Sequence, residues 1–284
     1  MIERFFLLSK HVAKILASRI EARSSVPDMM MGSQLTILED LITLLKPLKE
    51  ATEDVSGDTY VTSSLAIPLA NLLPASIRKA KPSTSIGRDV QQSILRGLND
   101  RLQPLEKNKL LAKATLLDPR FKKVHFSSPL VVSQAVLELS AEIREELKRQ
   151  GGRSPDLVNV AATENENNDS LWTTHDTLVE EAMAAPELPS HGAGAVPNQL
   201  KQFFDQALTP RLSDPVKFWI QVKHFTPALS AVALKYLITQ ASSVPSERAA
   251  STVNMVVPDN RSRLTAEHIR QRVLLATVPD KYWF

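Results

Sequence analysis

The chain has 284 residues, long enough to bury a real core in roughly one to three domains, and its 43% hydrophobic and 23% charged residues are ordinary for a globular protein. A net charge of +3 permits contact with nucleic acid without arguing for it, because no dense Lys/Arg stripe appears. The absence of cysteine excludes disulfides and Cys-based zinc sites, and the six histidines (His11, His125, His175, His191, His224, His268) lack metal-ligand spacing. No metal and no cofactor are therefore expected.

No run of roughly eighteen apolar residues is present, so no membrane span is expected. The start Met1-Ile-Glu-Arg-Phe-Phe-Leu-Leu does not read as a signal peptide, and an intracellular location is the default expectation. Only 8 glycines and 5% aromatics, with abundant Leu, Ala, Lys, Arg and Glu, favour helix over sheet.

In chain order, the stripe Phe5, Leu8, Val12, Ile15, Leu16, Ile20 predicts a helix from Met1 to about Ala22. A second runs from Ser33 to about Glu50, with Leu35, Leu38, Leu41, Ile42 and Leu45 on one face and Pro47 kinking its end. Leu65, Leu69, Leu72 and Leu73 set a third over Thr59–Ser76. Val90, Ile94, Leu98 and Leu102 set a fourth over Asp89–Leu111, interrupted by Pro104. A fifth covers Pro129 to about Gln150. No segment alternates long enough to demand a strand.

Before the fifth helix lies Leu116-Leu117-Asp118-Pro119-Arg120-Phe121-Lys122, in which Asp118-Pro119 reads as a turn and Phe121 as a core plug. From 151 to 197 the composition becomes polar and Ala/Pro/Gly/Ser-rich, with Leu171-Trp172 as a lone apolar pair. This stretch reads as a largely disordered linker. Order returns with a short helix at Leu200–Leu208. Another follows, for which Asp214 is the N-cap and Pro215 the first helical residue. A buried helix then runs from Leu229 to Ile238, through Val232, Ala233, Tyr236 and Leu237.

Ala241-Ser-Ser-Val-Pro-Ser-Glu-Arg248 comes next, followed by Arg261-Ser-Arg-Leu264. Ser246 is read as the cap of a new helix and Glu247 as an acid at the positive end of its dipole, paired with Arg248 or Arg261. Thr265 caps a last helix through Ile269, Val273 and Leu274. The terminal Tyr282-Trp283-Phe284 should dock on this domain or on a partner.

Tyr236-Leu237, Ser242 to Arg248 and Arg261 to Leu264 together resemble the C-terminal dimerisation region of the hAT transposase superfamily, which includes domesticated BED-type zinc-finger proteins. Asp118, Pro119, Arg120, Phe121 and Lys122 match a second box of the family, in the expected order. The family usually carries a Trp pair after Asp-Pro; here Phe218 and Trp219 stand there.

The resemblance implies an RNase H-like core with a helical insertion, in which three carboxylates hold two divalent metals. Glu247 matches the third acid. The two upstream aspartates precede an Arg-Trp-Asn-Ser box, and Met1–Leu8 resembles the text that follows it. The expectation is thus an N-terminally truncated chain without those acids, their strands or the BED finger, and without the ability to cut DNA. Asp28, Asp40, Asp54 and Asp58 are not candidates for the acids. Ala250 and Asn254 stand where the family has a Phe and a Gly, and loss of a buried Phe removes roughly 1.5–3 kcal/mol. Ser251 is retained.

The fold class expected is mainly α: a helical insertion-like region plus the C-terminal helical part of an RNase H-like core, with few or no strands. The division expected is 1–150, 151–197 and 198–284. The function expected is non-catalytic dimerisation, with itself or a related hAT-family protein, in a nuclear setting with indirect DNA contact. Trp219, Phe225, Leu229, Tyr236, Leu237, Leu264, Val273 and Leu274 are the dimerisation candidates, though most should be core. The alternatives are the C-terminal part of an active transposase and a generic helical scaffold.

Overall fold

The structure, a computed structural model, describes residues 2–18, 29–151, 196–257 and 264–278. Its regular elements are α1 (Ile2–Ser18), α2 (Gly32–Val55), α3 (Ala66–Lys79), α4 (Ser85–Leu102), α5 (Lys109–Leu116), α6 (Pro129–Arg149), α7 (Asn198–Asp205), α8 (Pro215–Val222), α9 (Pro227–Leu237), α10 (Val244–Val256) and α11 (Ala266–Thr277). Two 3₁₀ turns, Ser63–Leu65 and Gln103–Lys107, precede α3 and α5. Among the described residues there is no strand, and the chain is mainly α. No helix among them is long and apolar enough to cross a membrane. Of the expected 151–197 linker, residues 152–195 lie outside the described residues, as does the Tyr282-Trp283-Phe284 end.

Several boundaries differ from the sequence expectation, each for an identifiable physical reason. Pro47 does not end α2, which runs on to Val55. The buried residues Leu44 and Ala51, with Leu48 and Val55 packed against the core, extend the apolar stripe past the proline. Burial along that stripe offsets the roughly 3 kcal/mol an interior proline costs. The third helix begins at Ala66 rather than Thr59, because Thr62, Ser63 and Ser64 spend their hydroxyls on distant partners. The expected helix over Asp89–Leu111 is three elements. Thr84 caps α4 by accepting from Gly87 N at 2.9 Å, Pro104 lies in the following 3₁₀ turn, and Asn108 caps α5 through Leu110 N at 3.0 Å. The helix expected over Leu200–Leu208 is Asn198–Asp205.

Two apolar clusters hold the described fold. The smaller joins α2, α3 and Phe121 through Ala51, Leu65, Leu69, Leu72, Leu73 and the fully buried Phe121 ring. The larger gathers Ile67, Leu116, Leu117, Leu139, Ile143, Leu200, Phe203, Trp219, Leu229, Val232 and Leu237. Its side chains come from both sides of the 151–197 stretch, so neither side builds this core alone. The helix α1 packs on α2, and α10 packs on α11.

Asp40 fixes how α2 meets α4. This buried carboxylate accepts from Ser83 N and Thr84 N, both at 2.9 Å, and from Thr84 Oγ1 at 2.6 Å. Gly87 allows the approach, since a Cβ there would lie 2.5 Å from Asp40 Oδ2. Burial pushes the Asp40 carboxyl up, but the bonds from Thr84 and Ser83 outweigh it and hold it down at about 2. Because the folded value lies below the ordinary 3.8, the stability Asp40 contributes is present above pH 3.8 and is lost as pH falls toward 2. Asp40→Asn is expected to lower stability at pH 7 by roughly 2 kcal/mol, with the gap to the parent chain closing between pH 3.8 and 2. Urea unfolding across that range checks it; a pH-independent gap would contradict the assignment.

Candidate functional site

The Asp118–Lys122 box is the turn that Asp118-Pro119 predicts, and it is a buried knot. Asp118 is fully buried at the end of α5. Its Oδ1 accepts from Arg120 N and Arg120 Nε, both at 2.9 Å, and its Oδ2 from Arg120 Nη2 at 2.7 Å and Ser64 Oγ at 2.6 Å. The carboxylate thus meets a forked guanidinium, the geometry that makes Arg–carboxylate pairs strong. Pro119 keeps its carbonyl for Thr209 N at 3.0 Å. The Phe121 ring is the core plug expected of it, with His125 edge-on at 5.8 Å.

Lys122 turns the chain with φ at 45° and buries its ammonium under the end of α7. Nζ donates to Phe203 O at 2.6 Å, to Gln206 O and to Ala207 O at 3.4 Å. A cation at a helix C-terminus meets unpaired carbonyls and the negative end of the dipole. Burial pushes this lysine down to about 8, against the pull of Asp205. Trp219 closes the knot by donating Nε1–H to Leu117 O at 2.8 Å. Its ring packs tilted against Phe203 at 4.8 Å between centroids and meets Phe218 edge-on at 5.2 Å.

A second polar cluster, which sequence reasoning missed, binds α5, α6 and α9. Lys113 Nζ lies 2.7 Å from Glu142 Oε1 and 2.9 Å from Glu138 Oε2, and Tyr236 Oη donates to Glu142 Oε1 at 2.6 Å. Burial pulls the Lys113 ammonium down, but the bonds from Glu142 and Glu138 leave it raised overall. The bonds from Lys109 and Lys113 hold Glu138 at about 2. The i, i+4 spacing of Lys109 with Lys113 and of Glu138 with Glu142 was the available signal. It identifies two helix faces without showing that they meet.

The Ser-Glu-Arg stretch folds differently from the expectation. Pro245 fits a first helical turn, which draws the start of α10 back to Val244 with Ser243 as N-cap; Ser246 already lies inside the helix. Glu247 is exposed and accepts from Ser243 Oγ at 2.6 Å. It does not pair with Arg248, because adjacent residues on a helix point to different sides. Arg248 Nη1 instead donates to Ser56 O at 2.7 Å and to Asp58 Oδ2 at 3.2 Å. Arg261 and Arg263 lie outside the described residues. Among the described residues, no three His, Asp or Glu side chains are grouped so as to hold a metal ion.

The dimerisation candidates separate by burial. Trp219, Leu229 and Leu237 lie in the chain's own core, and Tyr236 is held by Glu142. Leu264 and Val273 are half-buried. Phe225 is 40% exposed and Leu274 62% exposed, the latter next to Leu275 at 52%; Met255 on α10 is 82% exposed. Neither α10 nor α11 buries a residue, and Ala250 is exposed.

The knot generates a stability test. Asp118→Asn leaves Arg120 buried without its counter-charge and should cost roughly 3–5 kcal/mol. Trp219→Phe keeps an aromatic ring but strands the Leu117 carbonyl and leaves part of the indole's space empty, and should cost about 2 kcal/mol. Equilibrium urea unfolding of both variants measures the two losses; equal losses would contradict the ranking.

Comparison with known proteins places these features. Residues 199–275 match the hAT family C-terminal dimerisation region. Human zinc finger BED domain-containing protein 4 is 23% identical over 252 residues, covering 87% of this chain and 21% of that protein. Mouse zinc finger BED domain-containing protein 6 is 27% identical over 274 residues, covering 87% of this chain and 27% of that protein. The chain therefore spans about a fifth to a quarter of the length of these relatives. The helices α7 to α11 thus lie in a region that matches the hAT C-terminal dimerisation region, and most of the chain is similar to BED zinc-finger proteins, which supports a hAT-derived origin.

Proposed function

We propose that this chain is a non-catalytic protein-association module, forming a homodimer or pairing with a related hAT-family protein. The observation that carries the reading is the apolar surface of α10 and α11. Met255, Leu274 and Leu275 stand exposed on helices that lie within the matched dimerisation region or overlap its end. A single exposed leucine is ordinary, but several on one two-helix unit that buries nothing of its own suit a protein interface. The association unit is 198–284, and the helices before residue 150 brace it through the shared core.

The non-catalytic part of the reading rests on Glu247. The residue matching the family's third acid is bonded to the Ser243 hydroxyl and belongs to no metal-holding group among the described residues. Asp40 is occupied with Ser83 and Thr84, and Asp58 with Arg248. A nuclear setting, with DNA met through the partner rather than by this chain, completes the proposal; the BED zinc-finger relatives and the modest charge of +3 support it.

Sedimentation equilibrium on the whole chain tests this. The parent chain should be dimeric at micromolar concentration, and Leu274→Asp with Leu275→Asp should be monomeric. Because both leucines are exposed in the single chain, each change should alter unfolding stability by no more than about 0.5 kcal/mol. A parent chain that stays monomeric at all concentrations, or a double variant that still dimerises, would overturn the proposal.

A further inference from the structure

The pair α10–α11 joins the rest of the described fold at a narrow, polar place. Neither helix buries a side chain, and their principal packing partner is each other. Two side chains reach across to α2. Ser242 Oγ donates to Val55 O at 2.9 Å, and Arg248 Nη1 donates to Ser56 O at 2.7 Å and to Asp58 Oδ2 at 3.2 Å. Both carbonyls sit at the C-terminal end of α2, where a helix leaves its last carbonyls without internal partners and carries partial negative charge.

The other carbonyls of that end are already served. Tyr60 Oη donates to Glu53 O at 3.2 Å and Asp54 O at 3.0 Å, and Ser56 N donates to Thr52 O at 3.1 Å. The next two are taken by the segment that opens α10. The bond from Ser243 to Glu247 closes the first turn of α10, and Arg248 leaves the helix one residue later toward α2. Ser243, Glu247 and Arg248 thus work as one device: two seal the helix start and the third attaches it.

We infer that Arg248 is a positioning latch, holding the α10–α11 pair on the end of α2 and thereby setting the strength of self-association. The affinity half of this inference rests on the dimerisation reading above. The latch is half-exposed on both sides, so salt weakens it: the screening length falls from about 10 Å at 0.1 M to about 3 Å at 1 M. When the latch opens, only the fraction of chains with the pair correctly placed can associate, and because both partners of a homodimer must be competent, the apparent dissociation constant rises as the inverse square of that fraction.

The chain has no cysteine, so two introduced cysteines can be spin-labelled without background. Thr43→Cys on α2 and Ser251→Cys on α10 are both exposed positions. Labelled chain diluted into unlabelled chain reports the intramolecular distance by double electron–electron resonance, while sedimentation equilibrium reports the dissociation constant. A narrow distance distribution is expected for the parent chain. Arg248→Gln should broaden it and raise the dissociation constant roughly ten-fold or more. Asp58→Asn and 1 M salt should act in the same direction.

A distribution that stays narrow in Arg248→Gln overturns the latch, as does one already broad in the parent chain. Broadening with an unchanged dissociation constant overturns the link to affinity. A monomeric parent chain overturns the dimerisation reading and the affinity half together. The distance still decides separately whether Arg248 holds the helix pair.

Discussion

The buried Asp118–Arg120 pair is the constraint on which the rest of the structure depends. Both charges are buried, so the fold tolerates them only if each is fully occupied. Asp118 takes three bonds from Arg120 and one from Ser64. Ser64 belongs to the turn that enters α3, and Arg120 Nη1 continues to Arg211 O at 3.4 Å. Satisfying one carboxylate therefore fixes the start of α3, the end of α5 and the approach to α8 together.

From that pair the box reaches outward to residues far along the chain. Leu117 O receives Trp219, Pro119 O receives Thr209 N, and Lys122 takes the carbonyls that end α7. Each bond joins the segment before residue 150 to the segment after 195. The larger apolar cluster crosses the same divide, with Leu117 and Leu139 on one side and Phe203, Trp219 and Leu229 on the other. The region that matches the dimerisation family is consequently half of a core whose other half comes from the earlier helices. Its first three helices, α7 to α9, are buried into that core, whereas α10 and α11 bury nothing and show apolar side chains to the outside. This division of labour separates the residues that hold the chain together from those available to a partner.

Much of this was legible in the sequence. The mainly helical class follows from composition and spacing, the Asp214 and Thr265 caps were readable in place, and both accept the backbone N–H bonds expected of them. Phe121 read as a core plug and is one. Several failures share a cause, which is that local signals were overridden by distant partners. Pro47 marks a break only if nothing beyond it needs burying, and Leu48, Ala51 and Val55 do. Thr62, Ser63 and Ser64 read as helix residues, but their hydroxyls serve Gln240, Tyr236 O and Asp118. Lys113, Glu138 and Glu142 were individually unremarkable, and Tyr236 read as a dimerisation candidate rather than their partner, since nothing local brings α5, α6 and α9 side by side.

The Ser-Glu-Arg stretch shows where the boundary lies. The sequence by itself determined that a helix starts there with an acid in its first turn, because proline geometry and the helix dipole act within a few residues. The sequence also carried the match to the hAT dimerisation region, because ordered motifs persist independently of how their side chains are used. Only the tertiary structure decided that Glu247 serves Ser243 while Arg248 serves the end of α2. The physical reason is range. Capping and periodicity are written in neighbouring residues, whereas the partner of a long charged side chain is chosen by whichever unpaired carbonyl or carboxylate the fold brings within reach.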